Sequence, residues 1–305
     1  MARPLRFLPY AWCPLEVTTR TMQGRFLLRP SPEVNARILG VLARAQSKYD
    51  VRLFHCTVMS NHMHLLLATD SVATLAQFMS FVNGNIAREI GRLHGWPGRF
   101  WARRYRAIPV LDDDALLDRF RYLMAQGVKE GLVRRPTEWP GVHFADALRK
   151  GTALEGTWYD RSSVRGSGQS PRVLHGLVKI SPLPIWAELD ERERRQNADE
   201  IAQLVTREGA EGSGAIGHNP LGRRRILAQD PHGSPADHQS KPAPPCHASS
   251  LAEVRLFRAA YADFVLSYRT ANQELIKVAK ELAQLPRGLW PPGSAGDGWL
   301  APAFA

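Results

Sequence analysis

Two histidines one residue apart, His62 and His64, lie in a largely apolar run of strand length, residues 59–67 with the sequence MSNHMHLLL. In a β-strand, side chains at positions i and i+2 point to the same face, so the two imidazoles would project side by side while Met63 turns to the other face. Because neutral imidazole is a common ligand of divalent metal ions, such a pair can bind one ion. The same spacing is also typical of two exposed histidines on a strand, and the pair alone does not separate these interpretations.

A second candidate group consists of Tyr122 and Gln126, which lie four residues apart in a segment predicted to be helical and therefore share one helix face. A tyrosine hydroxyl can attack a phosphodiester and hold the cleaved DNA end as a phosphotyrosine. The glutamine carbonyl, one turn later, can complete a metal site begun by His62 and His64. Taken singly, a helical tyrosine is usually packed or exposed without a chemical role, and a helical glutamine is usually solvated. The hypothesis therefore depends on all four residues acting together.

Cationic and aromatic side chains alternate through residues 95–106. Arginines can contact phosphates, and aromatic rings can stack on unpaired bases. The segment therefore predicts a DNA-binding surface made of Arg99, Trp101, Arg103, Arg104, Tyr105 and Arg106, with Trp96 beside them. Arg20 could point into the same groove from the first strand. The alternative is that the rings of Phe100 and Trp101 belong to the core and the arginines form a solvated rim.

The charge balance favours a polyanionic partner. The 305 residues include 40 Lys and Arg against 29 Asp and Glu, a net charge of +11, which favours nucleic acid first and an acidic membrane surface second. Three scattered cysteines predict neither a disulfide framework nor a paired zinc motif. No signal peptide or membrane-spanning run is recognisable. We therefore expect a soluble, cytoplasmic protein with no membrane partner.

The candidate residues require a scaffold, and residues 1–150 predict one as a first domain. A strand or strand pair near 14–28 precedes a helix to about residue 49, a strand hairpin containing the two histidines, and a helix at about 72–94. A short strand ending at 110 and a helix at about 113–130 follow. The order β-α-β-β-α-β-α predicts an α+β fold in which helices pack on an antiparallel sheet.

Residues 151–305 form a predicted second region, a mainly helical C-terminal extension. Helices are expected near 185–209 and 250–282, with a flexible linker rich in Gly, Pro, Ser and His near 211–249. Strand fragments are expected at 158–159 and 177–180, and residues 286–305 should lie extended.

Several other groups invite a chemical interpretation that we do not favour. The acids at 112–114 resemble a metal cluster but are more typical of a helix cap. The histidine pattern beyond residue 217 fits no compact zinc motif; its members are His218, His232, His238, Cys246 and His247. His55 is expected in the core or behind the metal strand, and the basic run at 222–225 in a solvated loop.

Three ordered stretches resemble the HUH-type single-strand DNA transposases, in particular the REP-associated tyrosine transposases. Residues 59–67 are similar to the His-hydrophobic-His strand of that family, residues 99–108 (RFWARRYRAI) to its basic segment, and residues 121–133 (RYLMAQGVKEGLV) to its tyrosine helix. Residues 138–140 resemble the turn after that helix. The resemblance covers about residues 12–150 and implies the HUH, ferredoxin-like palm. Family members commonly carry Asn-Pro where this chain has Gln126-Gly127; glutamine can serve as the amide ligand, with a reach longer by one methylene.

The resemblance implies metal-dependent nicking of single-stranded DNA and strand transfer, as in transposition of REP-like or insertion-sequence elements. His62, His64 and Gln126 would hold Mg²⁺ or Mn²⁺, and Tyr122 would form a 5′-phosphotyrosine and release a 3′-OH that can reverse the step. The implied partners are single-stranded or hairpin DNA and a second copy of the chain in a homodimer. Two alternatives stay open: a non-catalytic single-stranded or hairpin DNA-binding protein derived from a transposase, and a replication or conjugation initiator of the same superfamily.

Overall fold

The computed structural model describes residues 5–161, 170–216, 219–235 and 243–283; for 212–216 and 279–283 it describes the backbone alone. Contacts divide the chain into two units, one up to Arg258 and one from Ala259 onward. Most of the described part beyond residue 150 therefore folds in the same unit as the N-terminal half. The predicted extended tail at 286–305 lies outside the described residues.

Four antiparallel strands form the central sheet, in the order β2-β3-β1-β4. Their bounds are Leu15–Arg20 for β1, Val51–Val58 for β2, His62–Thr69 for β3 and Arg106–Pro109 for β4. The strands β2 and β3 form the predicted hairpin, and its turn places both histidines at the start of β3.

Three helices alternate with these strands: α1 (Pro32–Gln46), α2 (Val72–Leu93) and α3 (Asp113–Met124). Each begins at a residue whose side-chain oxygen accepts a backbone N–H of the first turn, which satisfies a donor that the helix leaves unpaired; these residues are Ser31, Ser71 and Asp112. The order βαββαβ with this strand arrangement is ferredoxin-like. The predicted α+β fold with helices on an antiparallel sheet is confirmed.

Side-chain alternation along β3 divides the interior into two apolar layers. Leu65 and Leu67 pack with α1 and α2 on one face of the sheet. Leu66 packs with α3 on the other face. Because His62 and His64 share the parity of Leu66, they lie on the α3 side, between the sheet and the helix that carries the candidate nucleophile.

A second hairpin packs against α1. Its strands, β5 (Leu154–Asp160) and β6 (Arg172–Val178), contain the predicted strand fragments. The contact is close enough that a Cβ added to Gly40 on α1 would lie 2.1 Å from the backbone oxygen of Thr157. Glycine at position 40 is therefore required by the approach of two backbones.

Replacing Gly40 by alanine is expected to lower the free energy of unfolding by about 1–3 kcal/mol, because the added methyl group must displace the backbone of β5. Gly84 on α2 is a matched control, since its nearest neighbour for a new Cβ is 3.8 Å away. Gly84→Ala should stabilise the protein by about 0.5–1 kcal/mol through its helix propensity. Urea unfolding followed by circular dichroism measures both, and equal effects of the two changes would contradict the close contact.

The remaining helices follow the first domain. They are α4 (Ala145–Lys150), α5 (Glu191–Ile216), α6 (Arg223–Leu227) and α7 (Leu251–Ala283). The helices predicted near 185–209 and 250–282 correspond to α5 and α7. Within the described ranges, none of the helices combines the length and the apolar character needed to cross a bilayer.

In place of the flexible linker predicted near 211–249, the described parts of that segment are folded against the sheet domain. The buried Ile226 anchors α6, Arg29 donates to the carbonyl of Leu227 at 2.8 Å, and Ser60 donates to the side-chain oxygen of Gln229 at 2.6 Å. The polar composition of the segment did not predict this arrangement. One buried apolar side chain and a few hydrogen bonds are enough to hold the segment in place.

Two histidines, His55 on β2 and His143 beside it, pack with ring centroids 5.0 Å apart. Burial lowers the pKa of both, that of His143 to about 4. His55 is completely buried, and it packs edge-on against Phe120, as expected for a core residue. Both rings are therefore neutral in the folded protein near neutral pH.

Stability is consequently expected to fall as the pH drops below about 6.5. There the unfolded chain takes up protons that the folded chain excludes until about pH 4, so the stabilising contribution is complete above the unfolded pKa and lost on acidification. For His143 the shift corresponds to about 3 kcal/mol over that interval. Urea unfolding at a series of pH values measures the loss, and the variant His143→Asn should show a flatter profile; an unchanged profile would exclude His143 as the source.

Candidate active site

The two imidazoles of β3 lie side by side, with ring centroids 5.0 Å apart. His64 is buried and His62 is half-buried. The Nδ1 atom of His62 lies 2.7 Å from Oδ1 of Asn61. The Nδ1 atom of His64 lies 3.1 Å from both Oε1 of Glu16 and Oγ1 of Thr18 on β1.

These contacts determine the tautomer of each ring. An amide oxygen and an ionised carboxylate accept hydrogen bonds only, so Nδ1 of His62 and Nδ1 of His64 must carry the protons. The Nε2 atom of each ring is then unprotonated, which is the form that binds a metal ion. Asn61 and Glu16 therefore orient the two histidines in the way that metal-binding imidazoles require.

Tyr122 on α3 faces this pair, and its ring centroid lies 6.1 Å from that of His64. Regular helix ends at Met124, and Gln126 follows in a turn closed by Gly127, whose φ of 87° is readily adopted by glycine. The prediction that α3 extends to about residue 130 is thus wrong. Gln126 nevertheless stays beside Tyr122, because its Nε2 donates to the carbonyl of Tyr122 at 3.4 Å.

The side chain of Gln126 also lies beside His62. Burial, together with the neighbouring His64 and Arg20, lowers the pKa of His62 well below its ordinary value, while Gln126 opposes that shift. Because the amide nitrogen of Gln126 donates to the carbonyl of Tyr122, its amide oxygen remains as an acceptor. The structure thus brings His62, His64, Gln126 and Tyr122 together within one chain.

The donor set fits a divalent cation. Two imidazole nitrogens and one amide oxygen suit Mg²⁺ weakly and Mn²⁺ better, and they leave positions for phosphate oxygens and water. Among the described residues there is no cluster of three or more His, Cys, Asp and Glu side chains suited to a metal. The amide oxygen of Gln126 is a candidate third donor beside the histidine pair.

Positive charge flanks the tyrosine ring. The guanidinium of Arg119 and the ammonium of Lys129 each lie 4.8 Å from the ring centroid of Tyr122. The ring itself is half-buried, and within the described ranges its hydroxyl has no hydrogen-bond partner. Sequence reasoning did not identify either cation.

The aromatic part of the predicted DNA surface is largely packed inside. Tyr105 is buried, its hydroxyl donates to the carbonyl of Leu75 at 3.4 Å, and Arg6 covers its ring at 3.9 Å. Trp101 is half-buried and donates to the carbonyl of Asn83 at 2.9 Å. Tyr105 is therefore a core residue, and the assignment of its ring to base stacking is corrected, because a ring in a packed layer cannot meet a base.

The arginines of the same segment are exposed, as a DNA-binding role requires; they are Arg99, Arg103, Arg104 and Arg106. Arg20 lies opposite His62 in the β1–β3 register, and Arg106 lies opposite Thr18, so both guanidiniums share the sheet face of the histidines. None of these side chains pairs with a carboxylate of a described residue. These arginines form a cationic margin beside His62. The strand register includes Arg20 in this margin, which the sequence alone indicated only weakly.

The double variant Arg20→Ala/Arg106→Ala is expected to weaken single-stranded DNA binding and to reduce the slope of log K against log salt by about 1.4, since each lost phosphate contact contributes about 0.7. Fluorescence anisotropy at several salt concentrations measures the slope. The exposed residues Arg192 and Arg207 on α5 provide a matched control pair of equal charge. A double variant of Arg20 and Arg106 with the wild-type slope would remove this margin from the DNA path.

The other candidates have structural roles. Asp112 caps α3 by accepting the amide of Ala115 at 2.9 Å. His232 contacts the carbonyl of His94 at 2.9 Å, while His218 and His238 lie outside the described residues. The basic run at 222–225 is the start of the short helix α6 rather than a loop.

Besides Arg119 and Lys129, two residues of this site were missed by sequence reasoning: Glu16, and His247, whose Nε2 lies 2.9 Å from Oε2 of Glu16. Glu16 carried a weak signal, as an acid within a strand of β-branched residues. His247 carried none, because its contact with Glu16 joins distant parts of the chain.

Residues 22–126 match the family model described as "Transposase IS200 like", a range that is less than half of the chain. No curated protein matches the chain significantly.

Two solved structures are similar to part of the chain. One is a REP-associated tyrosine transposase bound to a REP hairpin, with a TM-score of 0.36, 15% identity, and coverage of 46% of this chain and 81% of that chain. The other is a protein of Deinococcus radiodurans R1 described as a transposase, with a TM-score of 0.29, 18% identity, and coverage of 40% and 97%. The predicted resemblance to HUH-type single-strand DNA transposases is confirmed by this family match over residues 22–126, a range that includes His62, His64, Tyr122 and Gln126, and the match supports a transposase role for this chain.

Proposed function

We propose that this protein nicks single-stranded DNA in a metal-dependent reaction and transfers the strand through a 5′-phosphotyrosine, as in transposition of REP-like or insertion-sequence elements. The observation that carries the proposal is the convergence of Tyr122, His62, His64 and Gln126 on the same side of the sheet. Their separation in sequence gives them no reason to meet in a purely structural core, and their chemistry is complementary. An exposed arginine margin beside them supplies sites for a phosphate backbone.

In the nicking step the Tyr122 oxygen attacks the scissile phosphorus. A tyrosine–phosphate bond forms and the bond from phosphorus to the 3′ oxygen breaks. The phenol loses one proton and the leaving 3′ oxygen gains one, so the step balances. A 3′-OH from another strand can attack the phosphotyrosine in reverse. One phosphodiester is exchanged for another, so rejoining needs no external energy source.

The residues around Tyr122 provide the electrostatics of this step. Negative charge develops on the phosphate, and Arg119 and Lys129 place positive charge 4.8 Å from the centre of the Tyr122 ring. His62, His64 and Gln126 would hold Mg²⁺ or Mn²⁺, which supplies Lewis-acid polarisation of the phosphate when bound. Tyr122 is only half-buried, as a residue that must meet a DNA strand requires.

We infer that the site is completed within one chain. Tyr122 lies beside the histidines of its own sheet, so no second subunit is needed to supply the nucleophile. The homodimer that the family resemblance implies is a separate prediction. DNA in single-stranded or hairpin form is the proposed partner, because an unpaired strand can bring a phosphate between sheet and helix.

A pool of hairpin-bearing oligonucleotides labelled at one end tests the proposal. With Mn²⁺ present, a 3′-end label should travel with the protein on a denaturing gel, because the tyrosine is joined to the 5′ phosphate of the downstream fragment, which carries the 3′ end. A 5′-end label should appear instead in a shortened, protein-free strand that a polymerase can extend. Chelation by EDTA should suppress both products. Tight binding without any adduct would support the non-catalytic alternative.

A further inference from the structure

A short C-terminal segment, Cys246–Ser249, lies against the two elements that carry the candidate site. The backbone N–H of His247 donates to the carbonyl of Pro109 at the end of β4 (2.8 Å), and the N–H of Leu111 donates to the carbonyl of His247 (2.9 Å). Two residues later, the N–H of Ser249 donates to Oδ2 of Asp112 at 2.8 Å. Asp112 is the residue that caps α3, so the segment is attached both to the sheet and to the start of the tyrosine helix.

The side chain of His247 reaches the buried acid behind the histidine pair. Its Nε2 lies 2.9 Å from Oε2 of Glu16, while the other carboxylate oxygen, Oε1, lies 3.1 Å from Nδ1 of His64. Arg119 approaches the same Oε2 at 3.8 Å. Glu16 is only 5% exposed, so these three neighbours take the place of water around its charge.

A buried carboxylate needs partners to remain ionised. The imidazoles of His247 and His64 each approach one oxygen of the Glu16 carboxylate, and Arg119 approaches the oxygen that faces His247. His247 Nε2 lies against Oε2, and the other carboxylate oxygen, Oε1, faces His64. An acceptor in that position sets both the ring plane and the tautomer of His64.

We propose that His247 is a positioning residue of the candidate site: it holds Glu16 so that Glu16 fixes His64 with Nε2 turned toward the metal position. This proposal rests on the proposed function, which assigns His64 as a metal ligand. It adds a role for the C-terminal region. That region brings to the site a residue on which the histidine pair depends. The family-like stretch that ends at residue 126 therefore does not contain everything its own site requires.

Direct titration of the full-length protein with Mn²⁺, without DNA, tests this dependence. The variant His247→Ala should bind Mn²⁺ about 10-fold more weakly, the low end of the range for loss of a residue that orients a ligand. His247→Gln should recover most of the affinity, because the glutamine amide nitrogen can donate from nearly the position of Nε2. The matched control is His175→Ala, an exposed histidine that lies 3.4 Å from Glu155 on the second hairpin, and it should bind as the wild type does.

A double-mutant cycle shows whether His247 acts through Glu16. In the background Glu16→Gln, adding His247→Ala should cause little further loss, since the carboxylate it orients is already absent. Additive losses would overturn the proposal, and so would wild-type Mn²⁺ affinity in His247→Ala. Thermal unfolding of each variant identifies any that fail to fold. If His247→Ala fails to fold, a folded His247→Gln variant tests the proposal instead: Mn²⁺ affinity near that of the wild type supports it, and loss of that affinity contradicts it.

The outcome is separable from that of the proposed function. Wild-type protein that binds Mn²⁺ but forms no DNA adduct would refute the nicking reaction, while the affinity ratios among the His247 variants would still decide this inference. Wild-type protein that binds no Mn²⁺ would overturn the inference whatever the adduct assay shows.

Discussion

Tyr122→Phe is expected to abolish the covalent protein–DNA adduct and to reduce nicking by at least about 10³-fold, since the change removes the only atom that attacks phosphorus. The ring, its packing against His64 and the flanking cations Arg119 and Lys129 are kept. Binding of single-stranded DNA should therefore change little. The adduct assay with a 3′-labelled oligonucleotide measures the first effect, and anisotropy at constant salt measures the second.

Tyr159 on β5 provides the matched control, because it is also half-buried and also lies beside guanidinium groups, those of Arg37 and Arg161. Tyr159→Phe should nick at the wild-type rate. An adduct formed by Tyr122→Phe would show that another residue is the nucleophile. Loss of DNA binding by Tyr122→Phe would indicate that the hydroxyl contributes to recognition rather than only to chemistry.

Replacement of His64 by alanine is expected to have the second-largest effect, a loss of Mn²⁺-dependent nicking of at least about 100-fold together with loss of measurable Mn²⁺ binding. Two physical effects combine. The variant lacks one of two imidazole nitrogens, and it leaves the buried carboxylate of Glu16 without its partner at 3.1 Å. A modest fall in stability, on the order of 1–3 kcal/mol, should accompany the change for the second reason.

His62→Ala separates these two effects, because His62 is half-buried and its Nδ1 partner is the neutral Asn61. It should lose Mn²⁺ affinity and nicking to a similar extent with less loss of stability. Isothermal titration with Mn²⁺, the adduct assay and urea unfolding report the three quantities. If both histidine variants nicked at the wild-type rate, the pair would have no part in the reaction and the protein would be better described as a basic DNA-binding protein.

Local patterns in the sequence were sufficient for the order of strands and helices. The largely apolar run through residues 63–67 predicted a strand, and the period of two along a strand placed His62 and His64 on one face, as the structure shows. The capping residues Ser31, Ser71 and Asp112 marked the helix starts correctly. Gln126 lies near Tyr122, as their spacing predicted, even though α3 ends sooner than expected. Gly127 turns the chain directly after Gln126 and so keeps Gln126 close to the helix.

Other features depended on contacts that no local pattern carries. Tyr105 was assigned to the DNA surface because its neighbours are arginines, yet a single aromatic ring gains more free energy from burial than from exposure, and the layer beside α2 accepts it. The segment around α6 was predicted to be flexible from its composition, while the buried Ile226 and hydrogen bonds to Arg29 and Ser60 hold it in place. Composition predicts only the average tendency of a segment to be ordered, and one buried side chain such as Ile226 can hold the segment in place.

By itself, the sequence determined the order of strands and helices, the face of the histidine pair and the identity of the nucleophile candidate, since each follows from a period or spacing of a few residues. Only the tertiary structure decided that Glu16, His247 and Arg119 surround His64, and that the arginines of β1 and β4 border it. The physical reason is that a charge can be buried only where other groups neutralise it. The register of the sheet and the contacts of distant chain segments, rather than local propensity, determine which groups those are.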